Sequence, residues 1–300
     1  MRIGAHVPTK GTLVGAVHSA LACGADVAQI WGSNPRAWAP PRVSTERAEE
    51  FRAAWREAGL GPVFLHAPYM VNVASPNDDF RRRSVNLARA TMDLAERVGA
   101  HGVVVHAGAG GAQTDRREAV ERAARSLVAI ANEADRTRLV VELTAGGAGS
   151  VASTFAQARE LLDAAGRHTG LRLCADTCHL FAAGYALDTK EGVGSCFDEL
   201  RRHRLAGRLA LVHANDSAFP RGARRDSHTH IGEGYIGAVG FASILAEPLV
   251  RRVPIVCETP GRLEDHARNI AALRRLAVGA RPRKGTSARR RGREPPGRTG

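Results

Sequence analysis

Eight short apolar segments recur along the 300-residue sequence, and segments with helical periodicity separate them. Most of the eight are nearly continuous apolar runs, which is typical of parallel strands covered on both faces. Between them, Asp115 followed by Glu118 indicates a helix start, and apolar residues spaced three and four apart indicate another helix that ends near Val98. The predicted strands are Arg2–Val7, Val27–Gly32, Val63–Ala67, Gly102–Gly108, Arg138–Thr144, Leu171–His179, Leu209–Asp216 and Pro254–Pro260.

Eight strand–helix units within residues 1–280 fit an α/β fold of the (β/α)₈ TIM-barrel type, which typically takes about 250 residues plus insertions. A doubly wound open sheet usually has fewer strands and a phosphate-binding loop after the first strand, and this sequence has neither feature. The longer connections, roughly 33–45 and 217–236, are expected to form functional loops on the barrel rim.

The composition, 44% hydrophobic and 24% charged, is typical of a globular protein with enough apolar material for a core. No run of 18 apolar residues occurs, so we expect no membrane span. The first residues enter a strand-like segment without a signal-peptide pattern, which favours a cytoplasmic protein. Five scattered cysteines do not predict a disulfide framework.

The positive charge of the chain is concentrated at one end. Residues 281–300 hold eight basic residues and one acidic residue, so subtracting their +7 from the total of +13 leaves +6 for the rest. This segment is rich in Gly, Pro and Arg and lacks apolar periodicity, which predicts a disordered tail outside the barrel domain. Either a solvated tail or a non-specific phosphate-binding appendage fits its composition.

Strong metal-ligand side chains stand at the ends of six consecutive predicted strands. Because the carboxyl ends of barrel strands meet at one mouth, where barrel active sites lie, these side chains are expected to converge. The sixth predicted strand carries two such residues, Asp176 and His179, and the loop after the seventh strand adds two more. The nine candidates are His66, His106, Glu142, Asp176, His179, His213, Asp226, His228 and Glu258.

Nine candidate ligands exceed the needs of a single ion, which takes about four. With a carboxylate that bridges two ions, the set suits two or three. The mixture of nitrogen and oxygen donors favours zinc, with manganese or iron as the alternatives. Cys174 and Cys178 are more simply interpreted as core or loop thiols.

Four segments resemble the motifs of the endonuclease IV family, the zinc-dependent apurinic/apyrimidinic endonucleases, and the resemblance covers about residues 1–275. The segments are DTCHLFAAGY at 176–185, HANDS at 213–217, DSH at 226–228 with GEG at 232–234, and ELTAGG at 142–147. The resemblance implies a xylose-isomerase-like TIM barrel. One departure is Leu143, where the family usually has asparagine, and this change could alter the support of Glu142.

The resemblance also implies a role for each candidate. His66, His106 and Glu142 would bind the first of three zinc ions, and Glu142 would bridge to the second. Asp176, His213 and Glu258 would complete the second site, while His179, Asp226 and His228 would hold the third. Arg36 matches an arginine inserted into the duplex at the lesion, Tyr69 an intercalating aromatic residue, and Met70 an apolar wedge.

The expected function is repair of double-stranded DNA that carries abasic or 3′-blocked damage. The resemblance implies hydrolysis of the phosphodiester 5′ to an abasic site by metal-activated water, which leaves a 3′-hydroxyl and a 5′-deoxyribose phosphate. Trimming of 3′ ends and a monomeric state are expected as well. The alternatives are a sugar isomerase or epimerase on a related barrel, which would not need the third ligand set, and a non-catalytic DNA-binding barrel.

Overall fold

Eight parallel strands close into a barrel in the computed structural model, which describes residues 1–166 and 170–279. Each of the first seven barrel strands pairs with its sequence neighbours, and the last strand closes the barrel by pairing with the seventh and the first. The predicted TIM barrel is therefore confirmed. The barrel strands are β1 (Ile3–His6), β2 (Ala28–Trp31), β3 (Val63–His66), β4 (Gly102–His106), β5 (Arg138–Glu142), β6 (Leu171–Asp176), β7 (Leu209–His213) and β10 (Ile255–Cys257).

Helices follow the strands and cover the outside of the barrel. The predicted helix start at Asp115 is confirmed, because its side chain accepts a hydrogen bond from the backbone N–H of Glu118 at 3.1 Å. Among the described residues, none of the helices has the length and apolar character needed to cross a membrane. The helices are α1 (Leu13–Ala22), α2 (Thr45–Glu57), α3 (Asp78–Val98), α4 (Arg116–Ala131), α5 (Phe155–Ala164), α6 (Thr177–Ala183), α7 (Lys190–Arg202), α8 (Gly237–Ala246) and α9 (Leu263–Gly279).

A plug of buried side chains fills the interior of the barrel, separate from the larger core between strands and helices. Each member of the plug is fully buried and belongs to a different strand, except that Val27 lies immediately before β2. Because side chains alternate along a strand, the residue two positions after each plug residue also faces inward, one layer nearer the mouth. The plug residues are Val27, Phe64, Val104, Val140, Cys174, Leu211 and Val256.

All eight barrel strands end one to three residues before their predicted limits, and the last of them, predicted to run to Pro260, ends at Cys257. The sixth was predicted to run to His179, but β6 ends at Asp176, whose side chain accepts the backbone N–H of His179 at 2.9 Å and so caps α6. The seventh was predicted to run to Asp216, but β7 ends at His213. Asp216 instead begins the short strand β8 (Asp216–Ser217), which pairs with β9 (His228–Thr229) in an antiparallel sheet on the rim.

All five cysteines are free and buried. The sequence had not predicted a disulfide framework. The last described helix ends at Gly279. The predicted Arg-rich tail, residues 281–300, lies outside the described residues, so its boundary with the barrel domain stays a prediction.

Candidate metal centre

The layer above the barrel plug is a ring of polar side chains. It consists of the inward-facing residues two positions after each plug residue, and six of its seven members are candidate metal ligands. The ring therefore follows directly from strand alternation at the mouth of a parallel barrel. Its members are Gln29, His66, His106, Glu142, Asp176, His213 and Glu258.

Glu142 lies between two groups of possible ligands. One carboxylate oxygen, Oε2, is 3.1 Å from His66 Nε2 and 3.3 Å from His106 Nε2. The other oxygen, Oε1, is 3.0 Å from His213 Nδ1, which in turn lies 3.1 Å from Glu258 Oε2 and 3.8 Å from Asp176 Oδ2. Within each group the possible ligand atoms all lie within 4.8 Å of one another. One carboxylate is thus positioned to serve two ions.

A third group forms where α6 meets the rim strand β9. The Nε2 atoms of His179 and His228 each lie 3.2 Å from Asp226 Oδ1. The cap of α6 at Asp176 turns His179 toward the mouth, and the pairing of β8 with β9 brings His228 back across the barrel. The structure therefore brings all nine predicted ligands together, in the three groups that the sequence resemblance implies.

Three of the five imidazoles are oriented as metal-bound histidines usually are, with one ring nitrogen held by the protein and the other facing the cluster. Nδ1 of His66 lies 2.7 Å from the carbonyl oxygen of Ala67, and Nδ1 of His179 lies 2.9 Å from that of Leu143. The Nδ1 atom of His228 likewise lies 3.2 Å from the carbonyl oxygen of Glu258.

The ring nitrogens that face the cluster show whether a metal would fit there. The Nε2 atoms of His179 and His228 are buried and form no hydrogen bond of acceptable geometry, although Asp226 Oδ1 lies 3.2 Å from each. Since buried polar atoms are normally satisfied, these two atoms need a further partner at the centre of the group. A cation held by nitrogen and oxygen donors meets that need, so the residues present fit a metal site.

The four carboxylates give the site a strongly negative potential. Burial raises the pKa of Glu142, but the facing His213 and His106 outweigh burial and hold that pKa well below its usual range. Burial lowers the pKa of His228, but Asp176 and Asp226 outweigh it and raise the pKa to about 9. The charge pattern therefore favours positive charge among the ligands, as expected of a cation site.

The two cysteines near the ring also lie close to possible ligands: Cys174 beside Glu142 and His213, and Cys178 beside Asp176 and His228. Burial raises the pKa of each thiol to about 12. Cys174 belongs to the barrel plug, one layer below the ring, and the Cys178 thiol donates to the carbonyl oxygen of Ser227 at 3.6 Å. This result favours the interpretation of both cysteines as core thiols.

An open cavity of about 520 Å³ lies above the ligands. Its wall includes Trp31, His6 and Tyr69, and the Tyr69 ring packs edge-on against Trp31 with 4.8 Å between centroids. The backbone N–H of Tyr69 donates to the carbonyl oxygen of Pro35 at 3.1 Å, which joins the loop of Tyr69 to the loop of Arg36.

The three predicted DNA-contacting residues differ in exposure. The Tyr69 side chain is 59% exposed, Arg36 is exposed, and Met70 is partly buried. Tyr69 and Arg36 therefore lie on neighbouring loops at one side of the mouth, where an approaching duplex can reach them. Their contacts with DNA stay predictions.

Sequence reasoning missed three buried polar residues around the ligands. Asn215 donates to Asp176 Oδ2 at 2.6 Å and accepts the backbone N–H of Glu258 at 2.7 Å, while Asp216 accepts backbone N–H groups from the loop after β9. Gln29 completes the ring on β2. The detectable signal for Gln29 was a polar residue two positions after Val27 in an otherwise apolar strand.

Leu143, the departure from the family pattern, contacts the ligands through its backbone, and its effect on the support of Glu142 stays a prediction. Leu143 is fully buried, and the group it offers to the site is its backbone carbonyl, which lies within hydrogen-bond distance of His179. Any residue at this position supplies that carbonyl, so the orientation of His179 does not depend on an asparagine.

Comparison with known proteins places the chain in a family. Residues 17–276 match a family model described as a xylose isomerase-like TIM barrel. A probable endonuclease 4 of Streptomyces avermitilis is 37% identical over 285 residues, which cover 92% of this chain and 90% of that protein. A probable endonuclease 4 of Streptomyces coelicolor is 38% identical and covers 92% of this chain and 95% of its own length.

Two solved structures resemble this chain to different degrees. The crystal structure of endonuclease IV from Thermus thermophilus superposes with a TM-score of 0.83 at 31% identity and covers 93% of this chain and all of that chain. A D-tagatose 3-epimerase-like protein superposes with a TM-score of 0.71 at 18% identity, covering 93% of this chain and 98% of its own, which shows a shared fold alone. With its ligand groups and these relatives together, the chain belongs to the endonuclease IV family.

Proposed function

We propose that this chain is a DNA-repair endonuclease that hydrolyses the phosphodiester on the 5′ side of an abasic site and leaves a 3′-hydroxyl and a 5′-deoxyribose phosphate. The observation that carries the proposal is the arrangement of nine ligand side chains in three adjacent groups, two of which share Glu142. The proposal includes trimming of blocked 3′ ends, because that reaction is also the hydrolysis of a phosphate ester.

The proposed ligand sets follow the three groups. His66, His106 and Glu142 would hold the first ion, and Glu142 would also serve the second. Asp176, His213 and Glu258 complete the second set, and His179, Asp226 and His228 form the third. The mixed nitrogen and oxygen donors favour zinc in all three, with manganese or iron as the alternatives in some of them.

The side chains of this chain would position both the metals and the phosphate. When bound, the metals supply an activated water molecule and positive charge that offsets the phosphate. Glu142 would be shared by the first two ions, because its two oxygens face different groups of histidines. Asp226, which is half exposed, lies where the third group opens to the cavity.

The shape of the mouth fits a nucleotide taken out of a duplex. A cavity of about 520 Å³ is within the usual range of small-ligand pockets, so it has room for one sugar phosphate. Tyr69 lines this cavity, Arg36 lies on the loop that the Tyr69 backbone contacts through Pro35, and Met70 follows Tyr69. In the proposal these three side chains part the stacked bases at the lesion, where the missing base lowers the cost of unstacking.

The remaining parts of the proposal concern the protein as a whole. We propose a monomeric, cytoplasmic enzyme whose barrel domain spans residues 1–280 and whose Arg-rich tail spans 281–300. The charge of +6 outside the tail favours association with a polyanion.

Cleavage of a defined duplex tests the proposal. Purified protein is incubated with an end-labelled duplex that holds one stable abasic analogue, with an intact duplex as control, and the product ends are identified by ligation and mass spectrometry. We expect cleavage of the abasic duplex alone, with a ligatable 3′-hydroxyl. Products with a 3′ sugar fragment, or conversion of ketoses in place of DNA cleavage, would contradict the proposal.

A further inference from the structure

Gln29 occupies the place on β2 that metal ligands occupy on six other strands. It follows Val27 of the barrel plug by two residues, as His66 follows Phe64 on β3, and its side chain is fully buried. Gln29 is therefore the one member of the ring that cannot be expected to bind a zinc ion strongly, since amides are weaker ligands than imidazoles and carboxylates.

The two ends of the Gln29 amide contact two proposed ligands of the second ion. Its Nε2 atom donates to Glu258 Oε1 at 2.6 Å, and its Oε1 atom lies 3.0 Å from His213 Nε2. The Nε2 atom also lies 3.0 Å from Nδ1 of His6, which itself lies 3.2 Å from Glu258 Oε1. The amide thus spans from β10 to β7 across the floor of the site.

These contacts determine which way the amide points. A carboxylate accepts hydrogen bonds and cannot donate them, so the Gln29 atom that faces Glu258 must be the NH₂ group. The carbonyl oxygen then faces His213 and can only accept. Nε2 of His213 must therefore carry the ring proton, which leaves the lone pair of its Nδ1 atom pointing toward Glu142, Asp176 and Glu258.

We propose that Gln29 is a positioning residue for the second metal, which sets the His213 nitrogen offered to that metal and holds Glu258 in place. The inference rests on the metal centre of the proposed function. It differs from the support of the other histidines, because Ala67, Leu143 and Glu258 offer backbone carbonyls to His66, His179 and His228, respectively. Of these four histidines, His213 alone is oriented by a side chain that a substitution can remove.

Substitution of Gln29 by leucine tests the proposal through metal affinity. Leucine has a similar size and leaves His213 Nε2 and Glu258 Oε1 without their partner. We expect about 10- to 100-fold weaker affinity for one of the bound metals, measured by competition with a chromophoric chelator, while the other metals bind as in wild type. Equal affinity for every metal in Gln29→Leu and wild type would overturn the proposal.

A matched control separates this effect from the loss of any buried hydrogen bond. The Thr137 hydroxyl is buried and donates to the carbonyl oxygen of Ala100 at 3.0 Å, at the start of β5 and thus at the opposite end of the barrel. Thr137→Val should lower the unfolding midpoint without changing any metal affinity. The same metal loss in Thr137→Val and Gln29→Leu would show a general structural effect and overturn the specific role of Gln29.

A measurement on the wild-type protein covers the case in which Gln29→Leu does not fold. Long-range ¹H–¹⁵N spectra of the metal-loaded protein report which ring nitrogen of each histidine is protonated. We expect His213 to be protonated at Nε2 and metal-bound at Nδ1, and the reverse pattern would overturn the proposal. A wild-type protein that binds no metal would instead refute the proposed function, so the two failures are distinguishable.

Discussion

His213 presents its Nδ1 atom to Glu142 at 3.0 Å, from a position where both side chains are almost completely buried. The other Glu142 oxygen faces His66 and His106. This one carboxylate therefore joins the first two ligand groups, and its removal should affect two ions together.

We expect Glu142→Ala to lose at least about 100-fold in cleavage of the abasic duplex, because a shared ligand should matter at least as much as an outer hydrogen-bond partner does. The metal-free variant should stay folded, since Val140 and the rest of the barrel plug are unchanged. Cleavage rates and circular dichroism check both parts, with Glu49→Ala on the exposed face of α2 as the control. Wild-type cleavage by Glu142→Ala would contradict the proposed role.

Tyr69→Ala should reduce the preference for damaged DNA. Stacking of an aromatic side chain on a base contributes about 1–3 kcal/mol, so we expect affinity for the abasic duplex to fall by about 5- to 150-fold. Fluorescence anisotropy at fixed salt concentration measures it, with the intact duplex for comparison. Leu21→Ala is the control, because Leu21 is also about half exposed but lies near the end of α1, at the opposite end of the barrel. An unchanged ratio of the two affinities in Tyr69→Ala would refute the intercalating role.

Asp216 anchors the loop that follows the rim strand β9. Its buried carboxylate accepts the backbone N–H groups of Gly232 and Ile236 at 2.9 Å each and that of Gly234 at 3.1 Å. Hydrogen bonds to a charged group contribute about 1.5–3 kcal/mol each, and an amide in place of the carboxylate would set an NH₂ group against these donors. Asp216→Asn should therefore lower the free energy of unfolding by at least about 2 kcal/mol.

Hydrogen exchange locates that effect. The amides of residues 232, 234 and 236 should exchange faster in Asp216→Asn, and the unfolding midpoint in urea should fall. Asp198→Asn provides the comparison, because Asp198 is exposed and forms a surface ion pair with Arg201, which typically contributes about 0–1 kcal/mol. Equal stability losses in the two variants would show that the carboxylate does not anchor the loop.

Glu96 makes the stability of the barrel depend on pH. Its carboxylate accepts hydrogen bonds from Arg136 Nε at 2.9 Å and from the backbone N–H of Thr137 at 2.8 Å, which ties α3 to the residues before β5. Burial raises the pKa of Glu96, but these bonds outweigh burial and lower the pKa below its ordinary value of 4.5.

The sign of the pH effect follows from that lowered pKa. Because the folded state holds the carboxylate more strongly than the unfolded state does, its contribution is present above pH 4.5 and is lost as the pH falls through the folded-state pKa. Urea unfolding of wild type and Glu96→Gln should therefore differ more at pH 7 than near pH 3.5. A difference that is constant across this range would contradict the role of the ionised carboxylate.

Strand alternation explains why so much of the site could be predicted from the sequence. His106, Glu142 and His213 each follow a buried plug residue by two positions, so an apolar run that ends in a ligand type already indicates an inward-facing residue at the mouth. Gln29 obeys the same spacing, but an amide in a strand does not suggest a metal site, and its role depends on contacts with β7 and β10 that are distant in sequence.

Two features of the third ligand group could not be predicted from the apolar pattern: the start of a helix at Asp176 and the pairing of β8 with β9. Asp176 was predicted within a longer strand, yet its side chain accepts the backbone N–H of His179 and begins a helix instead. The pairing of β8 with β9 joins residues separated by a long loop, so apolar pattern gave no sign of it. These two features place His179 and His228 in the third group, which only the family resemblance indicated.

Metal reconstitution provides the most direct test of the metal centre. The purified protein is stripped with a chelator, zinc is added back in steps, and bound metal and the rate of cleavage of the abasic duplex are measured on the same samples. We predict no cleavage by the stripped protein and full cleavage as binding approaches about three ions per chain. Cleavage at the full rate by the stripped protein, or no cleavage by the protein loaded with zinc, manganese or iron, would contradict the metal-dependent function.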